Sequence, residues 1–136
     1  MTPEVESAIH KYTQWFGSYT RGGELKKVQV WLTIRVGRIE FLTPADSLKV
    51  KRIRRNPRVV SFLGDEKGPS IPGSAEIVTS AAEIMRVYRG YWKTHPIMMV
   101  LLSRTIKRRI ETGKQVLIRI TPDEPNPIEG ITAPLL

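Results

Sequence analysis

Apolar and polar positions alternate most cleanly from Lys27 to Arg35. Val28, Val30, Leu32 and Ile34 point one way, and Gln29, Trp31, Thr33 and Arg35 the other. A period of two predicts a half-buried strand. Val36-Gly37-Arg38 then reverses the chain into a second alternating segment, Ile39 to Thr43, and the two read as a β-hairpin. Upstream, Trp15 to Thr20 predicts a first strand, followed by a turn at Arg21-Gly22-Gly23-Glu24. Downstream, Val59 to Leu63 is a short apolar strand. The Gly- and Pro-rich stretch Gly64 to Gly73 reads as a loop, Ser74 to Thr79 resumes strand character, and Val116 to Thr121 is the closing strand.

Between these strands the period lengthens. Thr2-Pro3 with Glu4 and Glu6 in the first turn predicts a helix running to about Gln14. A second helix is expected from Ala45 to Arg55, ending at Asn56-Pro57 because the residue before proline avoids the α region. Ser80 and Glu83 form a capping-box pattern, and Ile84, Val87, Tyr88 and Tyr91 then share one helical face. Pro96 opens a last helix in which Met99, Leu102 and Ile106 share a face, ending near Gly113. Pro122, Pro125, Pro127 and Pro134 mark a tail that is either disordered or docked as an extended arm. There is no internal repeat. Strands in meander order with a helix between hairpins and a later helical pair predict a small, mainly antiparallel α+β barrel with peripheral helices. One domain over residues 1–136 is expected, with 123–136 as its Pro-rich tail.

A chain of 136 residues can bury a core, and 40% apolar with 26% charged residues is ordinary for a globular protein. The balance of charge changes the picture. A net charge of +9 and a pI near 10.2 point to an anionic partner or to a surface merely rich in Lys and Arg. The absence of cysteine removes disulfides, thiolate catalysis and Cys-based metal sites. The first residues carry acids and no basic apolar leader, so no signal peptide is expected. The longest apolar run, Pro96 to Leu102, is too short to span a bilayer. A cytoplasmic protein with no membrane partner is expected.

No catalytic group and no metal site can be read from the residues alone. His10 and His95 lack neighbours at metal-ligand spacing, Asp65-Glu66 shows no poised carboxylate pair, and no nucleophile-elbow, Walker or dinucleotide fingerprint occurs. The segment Thr43 to Val60 is different. Lys49, Lys51, Arg52, Arg54, Arg55 and Arg58 supply six cations, with no acid from Ser47 to Gly64. A helix start near Ser47, with its hydroxyl and the Lys49 ammonium, has the chemistry to hold a phosphate. The alternatives at this point are a solvated basic face or a nucleic-acid surface. No aromatic interleaves these cations to stack bases, which makes nucleic acid the weaker of the two.

The order hairpin strand, Gly-Arg turn, Phe41-Leu42-Thr43, Ser47-x-Lys49 and Ile53-Arg-Arg-Asn56-Pro57-Arg58-Val59 resembles the pyridoxamine 5'-phosphate oxidase-like superfamily of split β-barrels. It is most similar to the deazaflavin-dependent branch, the flavin/deazaflavin oxidoreductases of the B type. Val28-Gln29-Val30-Trp31 stands where that branch has a Pro-Val-Trp-like strand, and Gly73-Ser74-Ala75-Glu76 where it has a Gly-x-Ala strand. The resemblance spans roughly residues 12 to 122. It implies an FMN-binding split barrel that forms homodimers with the cofactor at the subunit interface, coenzyme F420 or alternatively FMN. It also implies hydride transfer between reduced cofactor and an unsaturated organic substrate, with no catalytic side chain.

Carried over by position, Gln29, Val30, Trp31 and Leu32 would line the ring. Leu42 and Thr43 would sit beside the ring and ribityl chain, Ser47 and Lys49 would hold the phosphate, and Arg54 or Arg58 would assist. The partner's loop at 68–73 would approach the ring from the other side. Leu48 stands where genuine pyridoxamine phosphate oxidases have Arg, and Thr121 to Leu136 lacks their Arg- and Trp-bearing closing segment, so vitamin B6 oxidation is not expected. Surplus cations such as Lys51, Arg52 and Arg55 would suit the anionic oligoglutamate tail of F420. A non-catalytic flavin, deazaflavin or tetrapyrrole binder, and a basic nucleic-acid-binding module, are the alternatives. Trp31, Tyr88, Tyr91 and Trp92 either pack internally or form part of an interface.

Overall fold

The computed structural model describes residues 14–64, 67–124 and 133–134. The helix expected from Thr2 lies outside these residues, except for Gln14, which opens the first strand. The described strands are β1 Gln14–Tyr19, β2 Leu25–Val30, β3 Thr33–Arg35, β4 Arg38–Pro44, β5 Arg58–Phe62, β6 Ser70–Val78, β7 Gln115–Pro122 and β8 Ala133–Pro134. The helices are α1 Leu48–Arg55, α2 Ala81–Thr94 and α3 Pro96–Glu111. The strands form one antiparallel sheet in the order β2-β1-β5-β6-β7-β4-β3-β8. Sequence neighbours β2 and β3 thus stand near opposite ends of the sheet, which curls so that its inner face closes on a core.

That core contains Phe16, Ile39, Phe41, Val59, Ile71, Val116, Ile118 and Ile120, joined by Val50 and Ile53 from α1. The outer face of β4 and β7 carries a second cluster. There Leu117 and the partly buried Leu42 meet Ile84, Val87, Tyr88 and Tyr91 of α2, and Met99 and Ile106 of α3. Burial on both faces explains why β7 is buried without a break from Gln115 to Ile118.

Local chemistry sets the boundaries. Thr43 and Pro44 pair with Val116 and Gln115, and the Ala45 N–H bonds the Lys114 carbonyl, so the chain at 43–45 is committed to the sheet. Helix α1 therefore starts at Leu48 rather than Ala45, with Ser47 as N-cap, and it ends at Asn56 as the proline rule predicts. Strand β6 begins at Ser70, inside the expected loop. Pro72 is tolerated because the β6–β7 ladder has already ended at Gly73, and its carbonyl accepts the Asp123 N–H. Gly73 itself admits no side chain, since a Cβ there would lie 2.6 Å from the Thr121 carbonyl oxygen. Ser80 caps α2 by accepting from the Glu83 N–H, as the capping pattern predicts. In the tail, Ala133–Pro134 pair with β3.

Candidate cofactor cleft

The uninterrupted strand expected from Lys27 to Arg35 is two strands. Val28, Val30, Leu32 and Ile34 do share the core, as their alternation requires. However, β2 pairs with β1, while β3 pairs with β4 in the register Thr33↔Glu40, Ile34↔Ile39, Arg35↔Arg38. Two further steps in the same register would set Trp31 opposite Leu42. The Tyr91 hydroxyl stands there instead, donating to the Trp31 carbonyl at 2.9 Å and accepting the Leu42 N–H at 2.9 Å. A side chain from α2 thus replaces a rung of the ladder and props the sheet apart. Burial raises the Tyr91 pKa far above its ordinary value of 10.0, so the hydroxyl keeps the proton it donates.

The Trp31 indole is fixed from two sides. It stacks on His95 with centroids 4.3 Å apart and planes 13° from parallel, and it meets the Tyr91 ring edge-on at 5.2 Å. Burial holds the His95 pKa below 6.5, so this ring is neutral at pH 7.

Beside this split lies a cleft of about 330 Å³. Gln29, Val30 and Trp31 from the end of β2 line it, with Leu42, Thr43 and Pro44 of β4 and Tyr91 beneath. Helix α3 contributes Leu102, Thr105, Ile106 and Arg109, and Lys49 and Gln115 supply further polar groups. Lys49 is half-buried, and its pKa is lowered by desolvation and then by the neighbouring charge of Arg52. No carboxylate pairs with it among the described residues. Nearby, Ser47 Oγ accepts from the Val50 N–H at 3.4 Å and from the Thr43 hydroxyl at 3.3 Å, which leaves its own O–H to donate. Gln115 is only 5% exposed, and its Oε1 has no hydrogen-bond partner among the described residues. The cleft therefore combines an apolar, aromatic lining with an unpaired cation and an unanswered buried acceptor, and the Ser47 hydroxyl at the α1 cap keeps a free donor.

Next to this cleft the outer face of the sheet carries an ionic cluster. Glu40, buried on β4, accepts from Arg86 of α2 at 2.8 and 3.1 Å and from Arg119 of β7 at 2.8 Å. Glu83 accepts from the same Arg86 Nη2 at 2.8 Å and from Arg119 Nη2 at 2.7 Å. These four side chains lock α2, and with it Tyr91, onto β4 and β7.

Neither a family model nor a curated protein matches the sequence. Solved structures do resemble it. A conserved hypothetical protein from Mycobacterium tuberculosis is 22% identical with a TM-score of 0.71, covering 91% of this chain and 82% of that one. A putative pyridoxamine 5'-phosphate oxidase from Listeria innocua is 16% identical with a TM-score of 0.60 over 89% of each chain. An F420 reductase is 15% identical with a TM-score of 0.58, covering 91% of this chain and 97% of that one. The fold is a split β-barrel.

Within the split barrel, six of the residues singled out from sequence line the cleft: Gln29, Val30, Trp31, Leu42, Thr43 and Lys49. Leu32 is fully buried in the barrel core. Ser47 stands at the α1 cap, in contact with Thr43. Arg54 is exposed on α1, and Arg58 opens β5 with its guanidinium held by Asp123, Nη1 to Oδ1 at 2.8 Å. Of the four aromatics, Tyr88 and Tyr91 are buried, Trp31 packs against His95 and Tyr91, and Trp92 stays 40% exposed. Pro44, Tyr91, Leu102, Thr105, Ile106, Arg109 and Gln115 are the cleft's additions. Tyr91 was legible as a core-facing helix position, but its hydroxyl bonds groups 49 and 60 residues away. Among the described residues no helix is long and apolar enough to cross a membrane.

Proposed function

We propose that the cleft holds a flavin-like cofactor bearing a phosphate, coenzyme F420 first and FMN second. The protein then passes a hydride between the reduced cofactor and an unsaturated organic substrate. The observation that carries this reading is Lys49, a half-buried ammonium with no carboxylate beside it, at a cleft whose apolar wall includes Val30, Trp31, Leu42, Leu102 and Ile106. A desolvated cation without a counter-ion favours an anionic ligand. Ser47 would donate its remaining O–H to the same phosphate, and Gln115 Oε1 would accept a hydrogen bond from an N–H or O–H of the ligand. When bound, such a cofactor supplies the reactive hydride centre itself. The chain's part is to orient it against Trp31, to exclude water with the α3 side chains and to neutralise its phosphate. The likeness to an F420 reductase and to a putative pyridoxamine 5'-phosphate oxidase supports this reading.

About 330 Å³ lies at the small end of ligand sites. A tricyclic ring with a ribityl phosphate needs more wall than one chain offers, which supports pairing of two copies over the cleft. A strictly monomeric species in sedimentation velocity, with cofactor bound, would remove that part of the proposal.

Titration with F420 and with FMN, followed by absorbance and fluorescence, tests the reading directly. One of them should bind at micromolar concentration, and Lys49→Ala should weaken it roughly 10- to 100-fold, the scale of a lost charge-assisted contact. The pH dependence carries a sign. The folded-state pKa of Lys49 is lowered, so its charge costs stability at neutral pH, and that cost disappears as pH rises through the lowered pKa. A bound anion holds the proton on. Affinity should therefore be flat near neutrality and fall on the alkaline side earlier than an ordinary lysine dictates, and Lys49→Ala should abolish that fall. Neither cofactor binding would sink the proposal; tight binding with no hydride transfer across a broad acceptor panel would leave a binding protein.

A further inference from the structure

The α2–α3 corner exposes more apolar surface than any other part of the described fold. Ile97 is 78% exposed, Val100 72%, Leu101 71% and Trp92 40%. On α3 the residues Met99 and Ile106 face the barrel, so Ile97, Leu101, Arg104 and Arg108, spaced by four and three, run along the opposite side. The outward stripe is thus apolar over its first half and cationic over its second. From Val87 to Ile110 the chain carries six cations and not one acid. Leu102, 38% exposed, continues the patch onto the wall of the cleft.

Exposed apolar side chains of this kind are uncommon on a free surface and mark a contact. The charge decides which. A second copy laid on the same face would bring its own cations against Lys93, Arg104, Lys107 and Arg108, with no acid in the segment to answer them. An anionic lipid surface answers both features at once. Its headgroups pair with the cations, and its acyl boundary takes Ile97, Val100, Leu101 and Trp92. Tryptophan is at home at such an interface. We propose that the α2–α3 corner is a peripheral docking surface for an anionic lipid bilayer. The expectation of no membrane partner rested on the Pro96–Leu102 run being too short to span. A run that lies on the surface needs no such length.

The test is co-sedimentation with large unilamellar vesicles of phosphatidylcholine alone and of equimolar phosphatidylcholine and phosphatidylglycerol. The full chain should bind the anionic vesicles, bind the neutral ones far more weakly, and be released by salt. Leu101→Asp and Ile97→Asp, both at exposed positions that leave the core intact, should each cut binding by at least tenfold. Arg104→Glu should cut it by fivefold or more, since each basic residue near such a surface contributes roughly that factor. Failure to bind anionic vesicles overturns the proposal, as does binding that Leu101→Asp leaves unchanged. A dimer that Leu101→Asp converts to monomer also overturns it, because the face then belongs to a second copy. None of these outcomes depends on cofactor binding.

Discussion

Glu40→Ala should destabilise the protein by about 2–3 kcal/mol, the scale of buried hydrogen bonds between charged groups, since it leaves Arg86 and Arg119 with Glu83 as their main carboxylate. The side chain of Glu40 is 2% exposed, and it alone lies against both Arg86 of α2 and Arg119 of β7 from beneath. Arg119 is itself 17% exposed, so water cannot replace the lost carboxylate fully. Glu83 provides the control. It touches the same two arginines, yet it is 36% exposed, and Glu83→Ala should cost about 1 kcal/mol or less. Urea denaturation of the two variants measures the contrast, and equal losses would show that burial does not distinguish the two acids. The cluster also predicts a direction with pH. The Arg86 hydrogen bond, aided by the nearby charges of Arg86, Arg119 and Arg35, outweighs desolvation and holds the Glu83 pKa below 4.5. Its contribution is therefore complete above that value and lost as pH falls through the lowered pKa.

Tyr91→Phe should cost about 2–4 kcal/mol although it removes a single oxygen, because two backbone groups lose their partner together. The Trp31 carbonyl and the Leu42 N–H both end on that hydroxyl. They lie two register steps beyond the β3–β4 ladder, where pairing between those strands has ceased, so neither has a β3–β4 partner to turn to. Thermal denaturation should show a fall of roughly 10 °C. Cofactor affinity should fall as well, since Trp31 and Leu42 line the cleft that the hydroxyl props open. Tyr88→Phe on the same helix should leave affinity unchanged. A Tyr91→Phe protein as stable as wild type would mean that the strands close over the gap and re-form the missing rung.

Much of this architecture was legible in the chain. The Val28–Ile34 alternation named the core-facing side correctly, and Asn56-Pro57 and Ser80-x-x-Glu83 marked helix ends that the structure keeps. Two things were hidden for physical reasons. Alternation records which face a residue takes and not which neighbour its backbone bonds, so the break at Trp31 left no trace in the period. Glu40 carries no local signal, because its two arginines come from residues 46 and 79 positions away. Pro72 and Gly73 misled in the other direction. Both are loop residues on average, but one stands past the end of a ladder and the other where strands crowd too closely for a Cβ. The cleft shows the same division. Lys49 and Thr43 carried a local signal, whereas Gln115, Arg109 and Tyr91 depend on distant segments converging.

The short pairing of Ala133–Pro134 with β3 has a practical consequence. It gives Thr33–Arg35 a second neighbour and so covers a sheet border that would otherwise stand open to foreign strands. That guard is two residues long, the shortest of the described strands. Trimming back past Ala133 would convert a covered border into a sticky one. Whether that border stays covered then depends on a pairing of two residues.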